Sequence, residues 1–216
     1  AIKYFKKIIK LNKNFADAYY NLGILYKKIN KIDESINSYI ECIKIKPEKF
    51  EAYNNLGNIY RDKNQIEEAI KKYLQCLEIN SNYLIALQNF GVCLQSFYFT
   101  FKSEIIDKYI IKLLEEDNIL RPVDIIYSLI NYLYLDPKFK MITEQVDNLE
   151  EKFSIEDLID IILKIKILTS LIKITPITDL KIEKILRYLR KEILLNISTI
   201  RNKKSSFELI NLIARQ

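Results

Sequence analysis

The stretch AYYNLGILYKKINKIDESINSYIECIKI, beginning at Ala18, is followed 34 residues later by AYNNLGNIYRDKNQIEEAIKKYLQCLEI, beginning at Ala52. Tyr19 falls on Tyr53, Leu22 on Leu56, Gly23 on Gly57, Tyr26 on Tyr60, Tyr39 on Tyr73, Cys42 on Cys76 and Ile45 on Ile79. A third copy opens with Leu87, Phe90, Gly91 and Leu94. A half copy precedes the first, with Ala1, Phe5, Ile8 and Leu11 in the places of Ser35, Tyr39, Cys42 and Ile45. The chain has three glycines, and all of them occupy one repeat position. A period of this length describes a supersecondary unit that cannot bury its apolar face alone and does so by stacking on its neighbours.

Within each copy the apolar residues recur at helical intervals, which predicts helices over 16–29 and 33–46, then 50–63 and 66–79. Asn30 and Asn64 separate the helices of each pair, and Asn tolerates the left-handed conformation that ends a helix. Pro47 closes the first pair, because the residue before a proline resists the helical conformation. A glycine inside a helix costs about 1 kcal/mol relative to Ala. Gly23, Gly57 and Gly91 are therefore expected where a neighbouring helix comes close, with Ser35 and Ala69 as small partners and Tyr39 and Tyr73 as large ones.

The pattern AYxNLGxxY, then a small residue, then Tyr, closed by Pro47, resembles the tetratricopeptide repeat over residues 1–96. Tyr19 and Tyr53 stand where that family usually has Trp, Cys42 and Cys76 where it usually has Ala, and Ser81 where it usually has a closing Pro. The resemblance implies an all-α helix-turn-helix solenoid whose first helices line a concave groove. It implies a protein or peptide ligand, with Asn21, Asn55 and Asn89 forming a ladder like that of some tetratricopeptide superhelices. An amide both donates and accepts, so such a column holds an extended backbone without reading side chains. Tyr20, Asn54 and Gln88 lie beside the ladder, Ile24 and Asn58 one turn further on, and Arg61 adds charge. A chaperone-tail carboxylate is a poor ligand, since Asp17, Glu51 and Ile85 stand where basic residues would be needed.

From 97 to 216 no repeat is legible, and a helical extension that caps the solenoid is expected. Helices are expected over about 102–117, from Pro122, from Pro137, from a capping Ser154, over PITDLKIEKILRYLRKEILL with Leu180, Ile182, Ile185, Leu186, Leu189 and Ile193 on its apolar face, and from Phe207 after the loop NKKSS. The stretch 158–174 is apolar nearly all round, which predicts one central buried helix. Asp160, Lys164, Lys166 and Lys173 interrupt it too often for a membrane span. This half is similar to the helical region between the repeats and a transferase domain in some bacterial multidomain proteins. That similarity implies, as an alternative, the substrate-recruiting arm of a methyl- or glycosyltransferase.

The net charge is +6. Residues 1–96 hold 15 Lys and Arg against 10 Asp and Glu, and the excess is dispersed, which fits a solvated surface better than a nucleic-acid face. The local cluster Arg187, Arg190, Lys191, Arg201, Lys203 and Lys204 is interrupted by Glu183 and Glu192. The chain has no His and three Cys. Without His, the commonest general base and the serine and cysteine triads are excluded. Zinc ligation lacks its usual donors. Three glycines 34 apart form no phosphate-cradling loop, so no cofactor and no catalysis are expected. The sparse, odd cysteine count argues against a disulfide scaffold and suits a reducing, cytoplasmic compartment. The opening AIKYFKKIIK already has helical periodicity, as in a fragment of a longer protein.

Overall fold

In a computed structural model that describes residues 1–116, 119–147, 155–174 and 179–195, every regular element is helical. The chain divides into two compact units, Ala1–Cys93 and Leu94–Gln216. The first contains α1 (Ile2–Leu11), α2 (Ala16–Lys28), α3 (Ile32–Ile45), α4 (Phe50–Asp62), α5 (Ile66–Ile79) and most of α6 (Leu84–Leu94). Helices α2 and α3 form one hairpin and α4 and α5 the next, with α3 also packed on α4 and α1 on α2. Their bounds agree with the repeat-derived ones to within a residue or so at each end.

The hairpin turns follow from the two asparagines. Asn30 and Asn64 each have φ 59°, the left-handed region in which a short polar side chain is tolerated. One residue on, the Lys31 N–H bonds the Tyr26 carbonyl at 2.9 Å, and the Gln65 N–H bonds the Tyr60 carbonyl at 2.8 Å. Each is the six-residue closure that satisfies carbonyls at a helix C-terminus.

Gly23 and Gly57 sit inside α2 and α4, each against a tyrosine of the second helix of its hairpin, and Gly91 lies in α6. A Cβ built on Gly23 would lie 2.6 Å from the Tyr39 ring, and one on Gly57 would lie 2.6 Å from the Tyr73 ring. Both rings are buried. Contact of ring on bare backbone is thus what offsets the poor helix propensity of glycine. In the first hairpin the buried Ser35 hydroxyl also donates to the Gly23 carbonyl at 2.7 Å; Ala69, its counterpart, fills the same place without a bond. Cys42, Cys76 and Cys93 are free and buried. Burial raises their thiols from 9.0 to about 11, 12 and 11 respectively, so they remain neutral, apolar filling near neutral pH.

The second unit departs from the sequence reading at three described places. The helix expected from Pro122 is one 3-10 turn (Pro122–Asp124), and the α-helix α8 (Ile126–Leu133) starts after it. The single helix expected over 158–174 is two: α10 (Ile155–Lys164) and α11 (Lys166–Ile174), parted at Ile165. Ile162, Ile165, Ile167, Leu168, Leu171 and Ile172 are buried while Lys164, Lys166 and Lys173 stay exposed. A continuous buried helix would have taken those ammonium groups out of water at high cost. Leu180 is exposed, so the apolar face of α12 (Leu180–Leu195) runs instead through Ile182, Ile185 and Leu186. The side chains of Leu189 and Ile193, the Ser154 cap, the NKKSS loop and the helix from Phe207 lie outside the described residues.

Helices α7 (Glu104–Glu115) and α9 (Pro137–Asp147) begin close to where expected. Helix α11 packs on α7, and α12 on α9. The core is formed by Phe99, Tyr109, Ile110, Leu129, Tyr132 and Phe139 among others, all buried. A polar network closes over it. The Tyr132 hydroxyl donates to the Asp107 carboxylate at 2.6 Å and accepts from the Ser103 N–H at 3.0 Å. Lys102 pairs with Asp107 at 3.0 Å and with Asp136 at 3.3 Å, and its ammonium lies 4.3 Å from the centre of the Tyr132 ring. Burial, reinforced by Asp107, pushes the Tyr132 phenol well above its ordinary value.

Candidate functional site: the face of the first helices

The residues singled out as groove-lining lie on α2 and α4, the first helices of the two hairpins, and on α6, which follows them. Asn21, Asn55 and Asn89 are all half-buried, but they are bonded differently. Asn21 turns its amide back to the Asp17 carbonyl of its own helix at 2.7 Å. Asn55 donates to the Tyr20 hydroxyl of the preceding repeat at 3.3 Å. Asn89 donates to the Asn54 side-chain carbonyl of the preceding repeat at 3.1 Å and accepts from Arg61 at 3.0 Å. The three amides are bonded to other groups and not to one another. Each of the last two reaches sideways, to the neighbour of its own counterpart one repeat earlier.

That sideways step has a fixed register. Tyr20 to Asn55, Asn54 to Asn89 and the ion pair Lys27 to Asp62 at 2.9 Å all join residues 35 apart. A 34-residue repeat brings equivalent residues to equivalent places, so one further residue is the diagonal neighbour on the next first helix. In the sequence this register shows only as adjacent polar positions in each copy, and a comparison of equivalent residues does not reveal it.

Of the others, Asn54 is buried, Gln88 is exposed, and Tyr20, Ile24, Asn58 and Arg61 are half-buried. Asn58 accepts from the Tyr73 hydroxyl at 2.9 Å, tying this face to the large residue behind it. Lys49, a residue the repeat pattern does not mark, lies beside Tyr20: its ammonium is 4.8 Å from the centre of the Tyr20 ring and pairs with Asp17 at 3.2 Å. Burial acts to lower its pKa, but the Asp17 bond and the Glu51 charge outweigh that and raise it. Burial likewise raises the Tyr20 phenol, with the Asn55 bond pulling the other way. Both groups thus keep their ordinary charge states at neutral pH.

Elsewhere, α7 and α11 flank an open cleft of about 720 Å³ in the second unit. Its walls carry Glu104 and Glu115 on one side and Lys166 and Lys173 on the other. Among the described residues no group of three or more His, Cys, Asp or Glu converges in a way that would hold a metal ion. No helix among them is long and apolar enough to cross a membrane. In the basic cluster, Arg187 is paired with Glu183 at 2.8 Å, and Arg201, Lys203 and Lys204 lie outside the described residues.

Stacked helical hairpins with a glycine-on-tyrosine contact in each define a helical-repeat scaffold. Family models identify the kind: tetratricopeptide repeat models match residues 4–37 and 50–83, and a TPR repeat model matches 26–60. Residues 4–83 thus match tetratricopeptide repeats along their whole length. No curated protein matches the chain. A solved structure, that of YrrB, described as a TPR protein with an unusual peptide-binding site, is similar at 15% identity over 99% of this chain and 92% of that one, with a TM-score of 0.42.

Proposed function

We propose that the face formed by α2, α4 and α6 is a groove that binds an extended segment of a partner protein or peptide. The observation that carries this reading is the row of half-buried amides at one repeat position, Asn21, Asn55 and Asn89. An amide offers two donors and two lone pairs. Asn21 spends one and Asn89 two in the bonds described above, and Asn55 serves both the Tyr20 and the Tyr39 hydroxyls. The side-to-side bonds hold the amides in place, and the remaining capacity serves a peptide backbone. Apolar and polar neighbours, Ile24 and Gln88, add contact on either side. Lys27, Lys49 and Arg61 are each engaged with a carboxylate or an amide of the same unit, so the face offers a balanced field rather than a clamp for a strongly acidic tail.

The test is selection of a random peptide library on immobilised protein. Gln88 is exposed and Ile24 half-buried, so Gln88→Arg and Ile24→Ser alter the face while leaving the bonded amides alone. We expect enriched peptides to bind the double variant about tenfold more weakly, the loss of one or two interface contacts. Peptides that bind the variant as well as the parent, with unchanged thermal melting, would contradict the groove.

A further inference from the structure

The cleft of about 720 Å³ belongs wholly to the second unit and carries both signs of charge on its lining. Its walls follow from helical spacing. On α7, Glu104, Lys108, Ile111 and Glu115 recur at steps of four, three and four, which sets them along one face. On α11, Lys166, Ser170 and Lys173 do the same, and Lys164 adds an ammonium at the end of α10. Ile111, Ile165 and Ile167 supply the apolar part of the lining.

The charges of this cleft are not spent on one another. Lys102 is held by Asp107 and Asp136, and the Lys108 ammonium lies over the Tyr109 ring, 5.0 Å from its centre. Glu104 and Glu115 on one wall, and Lys164, Lys166 and Lys173 on the other, are all exposed, and none of the five is ion-paired among the described residues. Elsewhere in the unit Arg121 pairs with Asp124 and Arg187 with Glu183. Walls of opposite sign that stay apart leave a field across the gap.

That field selects the occupant. A polyanion would meet Glu104 and Glu115, and a polycation would meet the lysines; both encounters are unfavourable. A ligand with opposite charges on its two sides meets neither. At 1.5 Å per residue, Glu104 to Glu115 spans about 16 Å and Lys166 to Lys173 about 10 Å. Spread along the longer wall, the cleft volume gives a cross-section of about 45 Å², whereas a helix about 10 Å across needs about 80 Å². An extended chain is thinner, and its successive side chains point to opposite sides. Alternating lysine and glutamate would therefore turn every ammonium to one wall and every carboxylate to the other.

We propose that this cleft binds an extended segment of a partner polypeptide in which basic and acidic side chains alternate, the basic ones toward Glu104 and Glu115 and the acidic ones toward Lys164, Lys166 and Lys173. The site lies in the other unit from the proposed groove and does not depend on it.

The probe is a dye-labelled, end-blocked peptide of about six residues alternating lysine and glutamate, about 20 Å long when extended. Its fluorescence anisotropy is followed on titration with the full 216-residue chain. The expected result is saturable binding that declines as salt screens the charges and is about tenfold weaker for a peptide of the same composition with its lysines and glutamates in separate blocks. The wall variants Glu104→Lys with Glu115→Lys, and Lys166→Glu with Lys173→Glu, should each weaken binding about tenfold. All four substitutions together exchange the two walls, and the alternating peptide should regain its affinity by turning over, a recovery that misfolding cannot produce. The Gln88→Arg, Ile24→Ser chain should bind it as the parent does. Absence of saturable binding, equal binding of the block peptide or of an all-glutamate peptide, wall variants that leave the affinity unchanged, or a fourfold variant that does not regain it would overturn the proposal. So would loss of binding in the Gln88→Arg, Ile24→Ser chain, since the peptide would then occupy the groove.

Discussion

Replacing Tyr73 with Ala should destabilise the first unit by about 3–5 kcal/mol, the cost of removing a large aromatic side chain from a closed core. The ring is fully buried, lies against the Gly57 backbone, and carries a hydroxyl bonded to Asn58. Nothing nearby can close over the void, because the Gly57 side of it has no side chain to move. Urea unfolding followed by circular dichroism should show the midpoint falling for the repeat unit. Tyr73→Phe should cost far less, about 1 kcal/mol for one lost hydrogen bond. A Tyr73→Ala variant as stable as the parent would mean that the hairpins are held by something other than this contact.

The second large effect belongs to the other unit. Tyr132→Phe keeps the ring but removes the group that joins Asp107 to the Ser103 N–H. The Ser103 N–H and the Asp107 carboxylate are only half-buried and Asp107 keeps Lys102, so the loss should be about 1 kcal/mol, the net worth of a hydrogen bond. Tyr132→Ala would remove the ring as well, together with the face over which Lys102 sits, for about 3–5 kcal/mol. The difference between the two variants separates the network from the packing. Chemical denaturation monitored by tyrosine fluorescence, with each variant in the full chain, measures both. If Tyr132→Phe were neutral, the Lys102–Asp107–Asp136 group would be self-sufficient and the hydroxyl an ornament on it.

The first unit was legible because its physics is local and repeated. Gly23 and Gly57 announced the close contacts, Tyr39 and Tyr73 their partners, and Asn30 and Asn64 the turns; each of these needs only one residue type at one spacing. The second unit gave less, since its helices pack in no repeated register. Pro122 is compatible with the first turn of either helix type, and the structure uses it for a 3-10 turn. The apolar run over 158–174 satisfied the pattern of a buried helix, yet the three lysines inside it required a break that no Gly or Pro marks. On the candidate face, the helices that carry the residues are readable, whereas the bonding is not. Asn55 and Asn89 lie on α4 and α6, but side-chain partners of each lie 35 residues back in the sequence, a relation that appears only when one repeat is set diagonally on the next.

The claim beneath this account is that the hairpins close because a tyrosine ring rests on a glycine backbone. A double-mutant cycle on Gly57→Ala and Tyr73→Leu measures that directly. Taken alone, Gly57→Ala should destabilise despite the roughly 1 kcal/mol of helix propensity it gains, because the new methyl group meets a ring that cannot move. In the Tyr73→Leu background the clash is relieved and the same substitution should become neutral or stabilising, giving a coupling of about 1–3 kcal/mol. Gly57→Ala that stabilises the parent chain, with no coupling to position 73, would contradict the account.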